Sequence, residues 1–159
     1  MTNCKQCDVG YYQEMTGQTL CNPCLAGHYQ PKMGQAKCLK CEPGTYNRIQ
    51  KATQCAKCPK GEYQDKEGQN TCKRCEVGMF SNIEGSKQCR KCPKGQFQST
   101  PQQKSCNKCQ AGQFQDEEGK TSCKLCPANH YQPEKGMAKC RPCGIGHHQP
   151  EEGKTKCSS

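Results

Sequence analysis

Apolar side chains are sparse in this chain and fall at one fixed interval. Tyr12, Tyr29, Tyr46, Tyr63, Phe80, Phe97, Phe114 and Tyr131 recur at every seventeenth position, with His148 closing the series. No stretch has the spacing of an amphipathic helix, and none approaches the ~20 apolar residues needed to cross a bilayer. A turn follows each aromatic. The groups PKMG (31–34), DKEG (65–68), DEEG (116–119), PEKG (133–136) and PEEG (150–153) open on Pro or Asp and close on Gly. That chemistry predicts a short extended segment carrying the aromatic, a tight turn and a short return. Lys51 and Gln102 replace the closing Gly in two units, predicting either a different loop shape or ~1–2 kcal/mol of left-handed strain.

Gly10, Gly27, Gly44, Gly61, Gly78, Gly95, Gly112 and Gly146 precede the aromatic register by two residues, and Asn129 takes that place once. Asn is the residue that best replaces Gly where φ is positive, so a left-handed backbone is expected there. Gln follows the aromatic position in seven of the nine units.

Cysteine keeps the same period. The first residue of each C-x-x-C falls at 4, 21, 38, 55, 72, 89, 106, 123, 140 and 157, and the second at 7, 24, 41, 58, 75, 92, 109, 126 and 143. Repetition therefore sets the architecture: one continuous array, without linker or insertion. Its units are 4–20, 21–37, 38–54, 55–71, 72–88, 89–105, 106–122, 123–139 and 140–156, and 157–159 begin a tenth.

Composition then decides what could hold such a chain together. Of 159 residues 19 are Cys, whereas Val, Leu, Ile and Phe together number twelve and Trp is absent. With a net charge of +10, so few aliphatic residues would otherwise predict disorder. Cross-links have to replace the missing core, as in other disulfide scaffolds. The expected fold class is small, disulfide-rich and all-β: an elongated tandem array of nine 17-residue hairpin repeats, folded when oxidised and unfolded when reduced.

Three cysteine arrangements fit the spacing. In the first, the second cysteine of one unit joins the first of the next, closing a hairpin at its base. That gives Cys7–Cys21, Cys24–Cys38, Cys41–Cys55, Cys58–Cys72, Cys75–Cys89, Cys92–Cys106, Cys109–Cys123, Cys126–Cys140 and Cys143–Cys157, and leaves Cys4 free. In the second, each C-x-x-C closes on itself, which ties no unit to another. In the third, alternate pairs hold zinc, as C-x-x-C…C-x-x-C spacing often does. Nine pairs do not divide among four-cysteine sites, and a metal array should alternate two spacer lengths. The first arrangement is favoured; the other two stay open.

The unit C-x-x-C-P-x-G-x-[Y/F]-Q-x-x-x-G-x-x-x-C, best seen in CPKGEYQDKEGQNTC (58–72), resembles the ephrin-receptor-like cysteine-rich repeat. More distantly it is similar to the first hairpin module of tumour necrosis factor receptor ectodomains. The resemblance implies an extracellular stalk with hairpin-closing disulfides and no catalysis. It carries over no ligand contacts.

Charge offers one further candidate. Lys40, Lys57, Lys73, Arg74, Arg90, Lys91, Lys108, Lys124 and Arg141 all lie inside C-x-x-C pairs, as does Lys5. Strict repetition would align them as a stripe, either a solvated face that keeps the array soluble or a surface for an acidic polymer. Acidic residues such as Glu117 and Glu118 are expected opposite it, where neighbouring arrays could pair stripe to turn and build bundles or filaments. His28, His130, His147 and His148 show no metal-ligand spacing, and no unit gathers a nucleophile–base set, so no enzyme, cofactor or metal is expected. Base stacking on the aromatic row is a weaker reading, and nucleic acid is not an expected partner.

So many cysteines suit an oxidising compartment, at a cell surface, outside a cell or on a particle. Protein partners, self-association or an acidic glycan are the expected contacts. Cys4 would need a mate fourteen positions upstream, so the array is expected to be part of a longer chain.

Overall fold

A computed structural model describes residues 6–15 and 20–159. Among them there is no helix; every regular element is a two-residue strand. β1 (Tyr11–Tyr12) pairs with β2 (Asn22–Pro23), β3 (His28–Tyr29) with β4 (Leu39–Lys40), β5 (Thr45–Tyr46) with β6 (Ala56–Lys57), and β7 (Glu62–Tyr63) with β8 (Lys73–Arg74). β9 (Met79–Phe80) pairs with β10 (Arg90–Lys91), and β11 (Gln96–Phe97) with β12 (Asn107–Lys108). β13 (Gln113–Phe114) pairs with β14 (Lys124–Leu125), and β15 (His130–Tyr131) with β16 (Arg141–Pro142). An antiparallel bridge, His148 to Ser158, repeats the pattern in the ninth unit. Contacts gather the chain into two bodies, Met1–Lys73 with Ile83–Gln88, and Arg74–Asn82 with Cys89–Ser159.

Such short hairpins are not stable alone. Each is closed by a disulfide between cysteines 14 residues apart, nine among the described residues from Cys7–Cys21 to Cys143–Cys157, with Cα–Cα distances of 5.7 to 5.9 Å. Cys4 lies outside the described residues.

The core these bridges form has an unexpected second component. Cys24, Cys41, Cys58, Cys75, Cys92, Cys109 and Cys126 are fully buried, and beside them lie Gln30, Gln64, Gln98, Gln115, Gln132 and Gln149. The buried Gln spans its own loop. Its Nε2 donates to the carbonyl seven positions on, Gln64 to Thr71 at 2.7 Å and Gln115 to Ser122 at 2.7 Å. Its Oε1 accepts the backbone N–H two positions on, from Lys66 at 3.1 Å and Glu117 at 3.0 Å. A buried amide costs stability unless satisfied, and here both ends are. The aromatics, by contrast, are only half-buried, so the filling of each loop falls to the residue after them.

Within each body, hairpin edges are taken up by the next unit. Gly10 N donates to Gln30 O at 2.7 Å and Gln30 N to Ala52 O at 3.0 Å; Gly112 N donates to Gln132 O at 2.7 Å and Gln132 N to Lys154 O at 3.1 Å. The turns reach backwards as well. Gly34 N donates to Cys7 O at 2.8 Å, and Gly153 N to Cys126 O at 2.8 Å. This pairing leaves few open edges, and units contact their neighbours as in other repeat proteins.

The positive-φ expectation holds at both registers. Asn129 has φ 65°, and the glycines of its series lie between 79° and 86°. Lys51 and Gln102 adopt φ 65° and 62°, like the turn glycines they replace. Their loops therefore keep the common shape and carry strain. Replacing Lys51 with Gly would relieve that strain at the cost of the backbone entropy that Gly brings. Lys51→Gly should be near neutral, because Lys51 Nζ also lies 5.8 Å from the centre of the Tyr11 ring. The substitution removes that favourable cation–ring contact. Thermal unfolding of the variant measures the balance.

Candidate surface: the cation rows and the loops

The cations of the C-x-x-C pairs divide into two rows with different surroundings. Antiparallel pairing sets Phe114 opposite Lys124 and Tyr131 opposite Arg141. Side chains two apart share a face of a strand, so the turn acid two positions beyond the aromatic is within reach of that cation. Lys124 Nζ meets Asp116 Oδ1 at 2.9 Å and Lys73 Nζ meets Asp65 Oδ1 at 3.0 Å, while an Arg141 nitrogen reaches Glu134, three positions beyond Tyr131, at 3.4 Å. Lys124 and Lys73 also sit 5.8 and 5.9 Å from the Phe114 and Tyr63 ring centres. Arg90 faces Phe80 in the same register.

The second row has another task. A Cβ built on Gly68, Gly85, Gly119 or Gly136 would come within 3.5 Å of the aliphatic stem of Lys40, Lys57, Lys91 or Lys108. These stems lie over the turn of the following unit and send their ammonium groups outward. Gln6 and Leu125 take the same place over Gly34 and Gly153, which shows that an unbranched or leucine stem suffices without a charge. Arg74 occupies this register too. The expected stripe residues thus divide between these two registers; Lys5 falls outside the described residues.

One expectation needs correction. Not every turn acid lies opposite the cations: Asp65, Asp116 and Glu134 bond to them within their own hairpins, whereas Glu117 pairs with Lys120 of its turn. The strand register is the reason, since it places both groups on one face. Hydrogen bonding to Lys73 lowers the Asp65 pKa and that to Lys124 lowers the Asp116 pKa, and the partner lysines are raised in return. Glu117 and Glu151 are lowered by Lys120 and Lys154. Because these carboxyls are depressed, what they add to stability is present at neutral pH and lost as acid protonates them. All are exposed, so that share is small.

The histidines serve the backbone or stand apart. His28 Nδ1 is 3.3 Å from Ala26 O, and His130 Nδ1 is 3.1 Å from Ala128 O. Among the described residues no three His, Cys, Asp or Glu side chains are grouped to hold a metal ion, and no helix is long and apolar enough to cross a membrane.

Two concave places occur in the first body. One, of about 190 Å³, is lined by Tyr12, Glu14, Leu25, His28 and Lys37. The other, of about 390 Å³, lies inside the third hairpin loop between Tyr46 and Ala56. Charge patterning pointed to the C-x-x-C cations; the loop cavity was not expected. Its one signal in the sequence is Asn47 at a position otherwise held mainly by Gln.

A search of curated proteins returns no match. A family model described as tyrosine-protein kinase ephrin type A/B receptor-like matches residues 15–54, 44–88, 78–112 and 102–137, four overlapping stretches that follow the repeat. Period, staples and hairpins agree with that match, and modules of this kind are disulfide-rich parts of extracellular regions, structural or binding in role and typically non-catalytic. The chain belongs to the ephrin-receptor-like repeat family.

Proposed function

We propose that the chain is a non-enzymatic spacer or stalk segment of an extracellular or particle-surface protein, built as one continuous array. The observation that carries this reading is the use of hairpin edges by the next unit within each body. Backbone groups and cysteines are spent on joining units, and the C-x-x-C cations on internal ion pairs and on covering turns. Self-association into bundles or filaments belongs to the same reading. So does contact with protein partners along repeated faces.

A spacer should tolerate the loss of a whole unit. Secreted protein lacking residues 89–105 should give, by non-reducing peptide mapping, one bridge fewer than the parent, the remaining bridges hairpin-closing, and a thiol only at Cys4. Metal content should be nil in both. Scrambled bridges or failed secretion after removal of one complete unit would contradict the spacer reading, and stoichiometric zinc would contradict the pairing itself.

A further inference from the structure

The third unit departs from the repeat at several positions that lie together. Asn47 stands where most units carry Gln, and its side chain is one methylene shorter. It does not cross the loop. Its Nδ2 turns back to His28 O at 2.9 Å, while its Oδ1 still accepts the Ile49 N–H at 3.1 Å. The carbonyl of Gln54, seven positions on, therefore lacks the amide donor that Thr71 and Ser122 receive in their loops. The space the longer amide would fill is the cavity of about 390 Å³.

The charge of this loop is also reversed. Arg48 occupies the position of Asp65 and Asp116, and Ala56 that of the lysines paired with them. No carboxylate occurs between Asn47 and Gln54. The Arg48 guanidinium carbon lies 5.4 Å from the centre of the Tyr46 ring, and Tyr46, Arg48, Lys51 and Gln54 all line the cavity.

We propose that the third hairpin loop binds an acidic sugar of a polysaccharide, one bearing sulfate or carboxylate. A guanidinium held against a ring keeps its N–H edge for an oxyanion, a pairing stronger than a neutral hydrogen bond. The Gln54 carbonyl accepts a sugar hydroxyl in place of the missing amide. The cavity falls at the lower end of the size range of small-ligand pockets, room for a sugar ring rather than a longer chain segment. An acidic peptide would satisfy Arg48 but brings few hydroxyl donors, so the saccharide is favoured. The site is independent of the spacer reading, which stands if this proposal fails.

The test is titration calorimetry of the whole oxidised chain with a heparin-derived hexasaccharide, its desulfated, still carboxylated counterpart, and polyglutamate. Arg48→Ser removes the cation. Asn47→Gln keeps the net charge and restores the crossing amide, closing the loop. Lys87→Ser removes an exposed cation elsewhere in the same body as a control. Retention of the desulfated form would assign recognition to carboxylate, and its loss to sulfate; either agrees with the proposal. Each loop variant should weaken hexasaccharide binding about tenfold, and Lys87→Ser less than about twofold. No binding by the parent chain, an equal fall in all three variants, an unaffected Asn47→Gln, or polyglutamate bound as tightly as the hexasaccharide would each overturn it.

Discussion

Reduction of the disulfides should unfold every described hairpin, seen as loss of slowly exchanging amides across residues 20–159. Nothing apolar stands ready to take over. The largest fully buried side chains are Gln64, Gln132 and seven cysteines, while Leu20, Leu25, Ile49, Leu125 and Ile145 are exposed. A loop of this length closed by a disulfide contributes about 3 kcal/mol in the chain-entropy model. The staples together thus exceed the roughly 5–15 kcal/mol by which ordinary domains are stable. Their removal also strips the buried glutamines of a fixed loop to span, leaving amides that prefer water. Amide protection that survives complete reduction would show that some other interaction organises the chain.

Gly78→Ala should be among the most damaging single substitutions outside the cysteines. Gly78 has φ 79°, a conformation that costs an L-residue roughly 1–2 kcal/mol. A Cβ there would also come under 3.0 Å from the carbonyl oxygen of Gly119, in the turn two units ahead. Backbone cannot rotate out of the way as a side-chain end can, so overpacking adds about 1–3 kcal/mol. Gly146→Ala isolates the two effects, because Gly146 has φ 81° and nothing within 4 Å of its Cβ position. Denaturant unfolding should show a loss of about 2–5 kcal/mol for Gly78→Ala against roughly 1–2 kcal/mol for Gly146→Ala. Equal losses would mean that the turn of the later unit yields freely.

That contrast shows what the sequence could and could not reveal. Left-handed backbone was legible, because Asn129 substitutes for Gly in the way only a conformational demand explains. The close approach was not. Gly10 meets the turn at Lys51, Gly44 the turn at Gly85 and Gly112 the turn at Gly153, each 41 positions on and within the second unit following. That offset is no multiple of the repeat period, so spacing within one unit does not contain it. The glutamines were visible as a pattern, yet a polar residue repeated beside an aromatic reads as solvent-facing until its bonds to Thr71 or Ser122 place it inside. The cations were legible as a row but not as two, since only the strand register separates Lys124, beside Asp116, from Lys91, lying over Gly119. The site inferred in the third loop rests on the same principle in reverse: Asn47 becomes informative once the role of its longer counterparts is known.

The staples have a mechanical consequence. A pull applied along the chain crosses each Cys–Cys bridge, spanning 5.9 Å between Cα atoms at Cys58–Cys72, and then the three peptide steps from Cys72 to Cys75. The intervening loop bears no load. Even with all non-covalent contacts broken, a unit can lengthen only to roughly a quarter of the reach its fully extended, reduced segment would have. Oxidised, the chain cannot be drawn past that limit; a reductant would release several times as much length as slack.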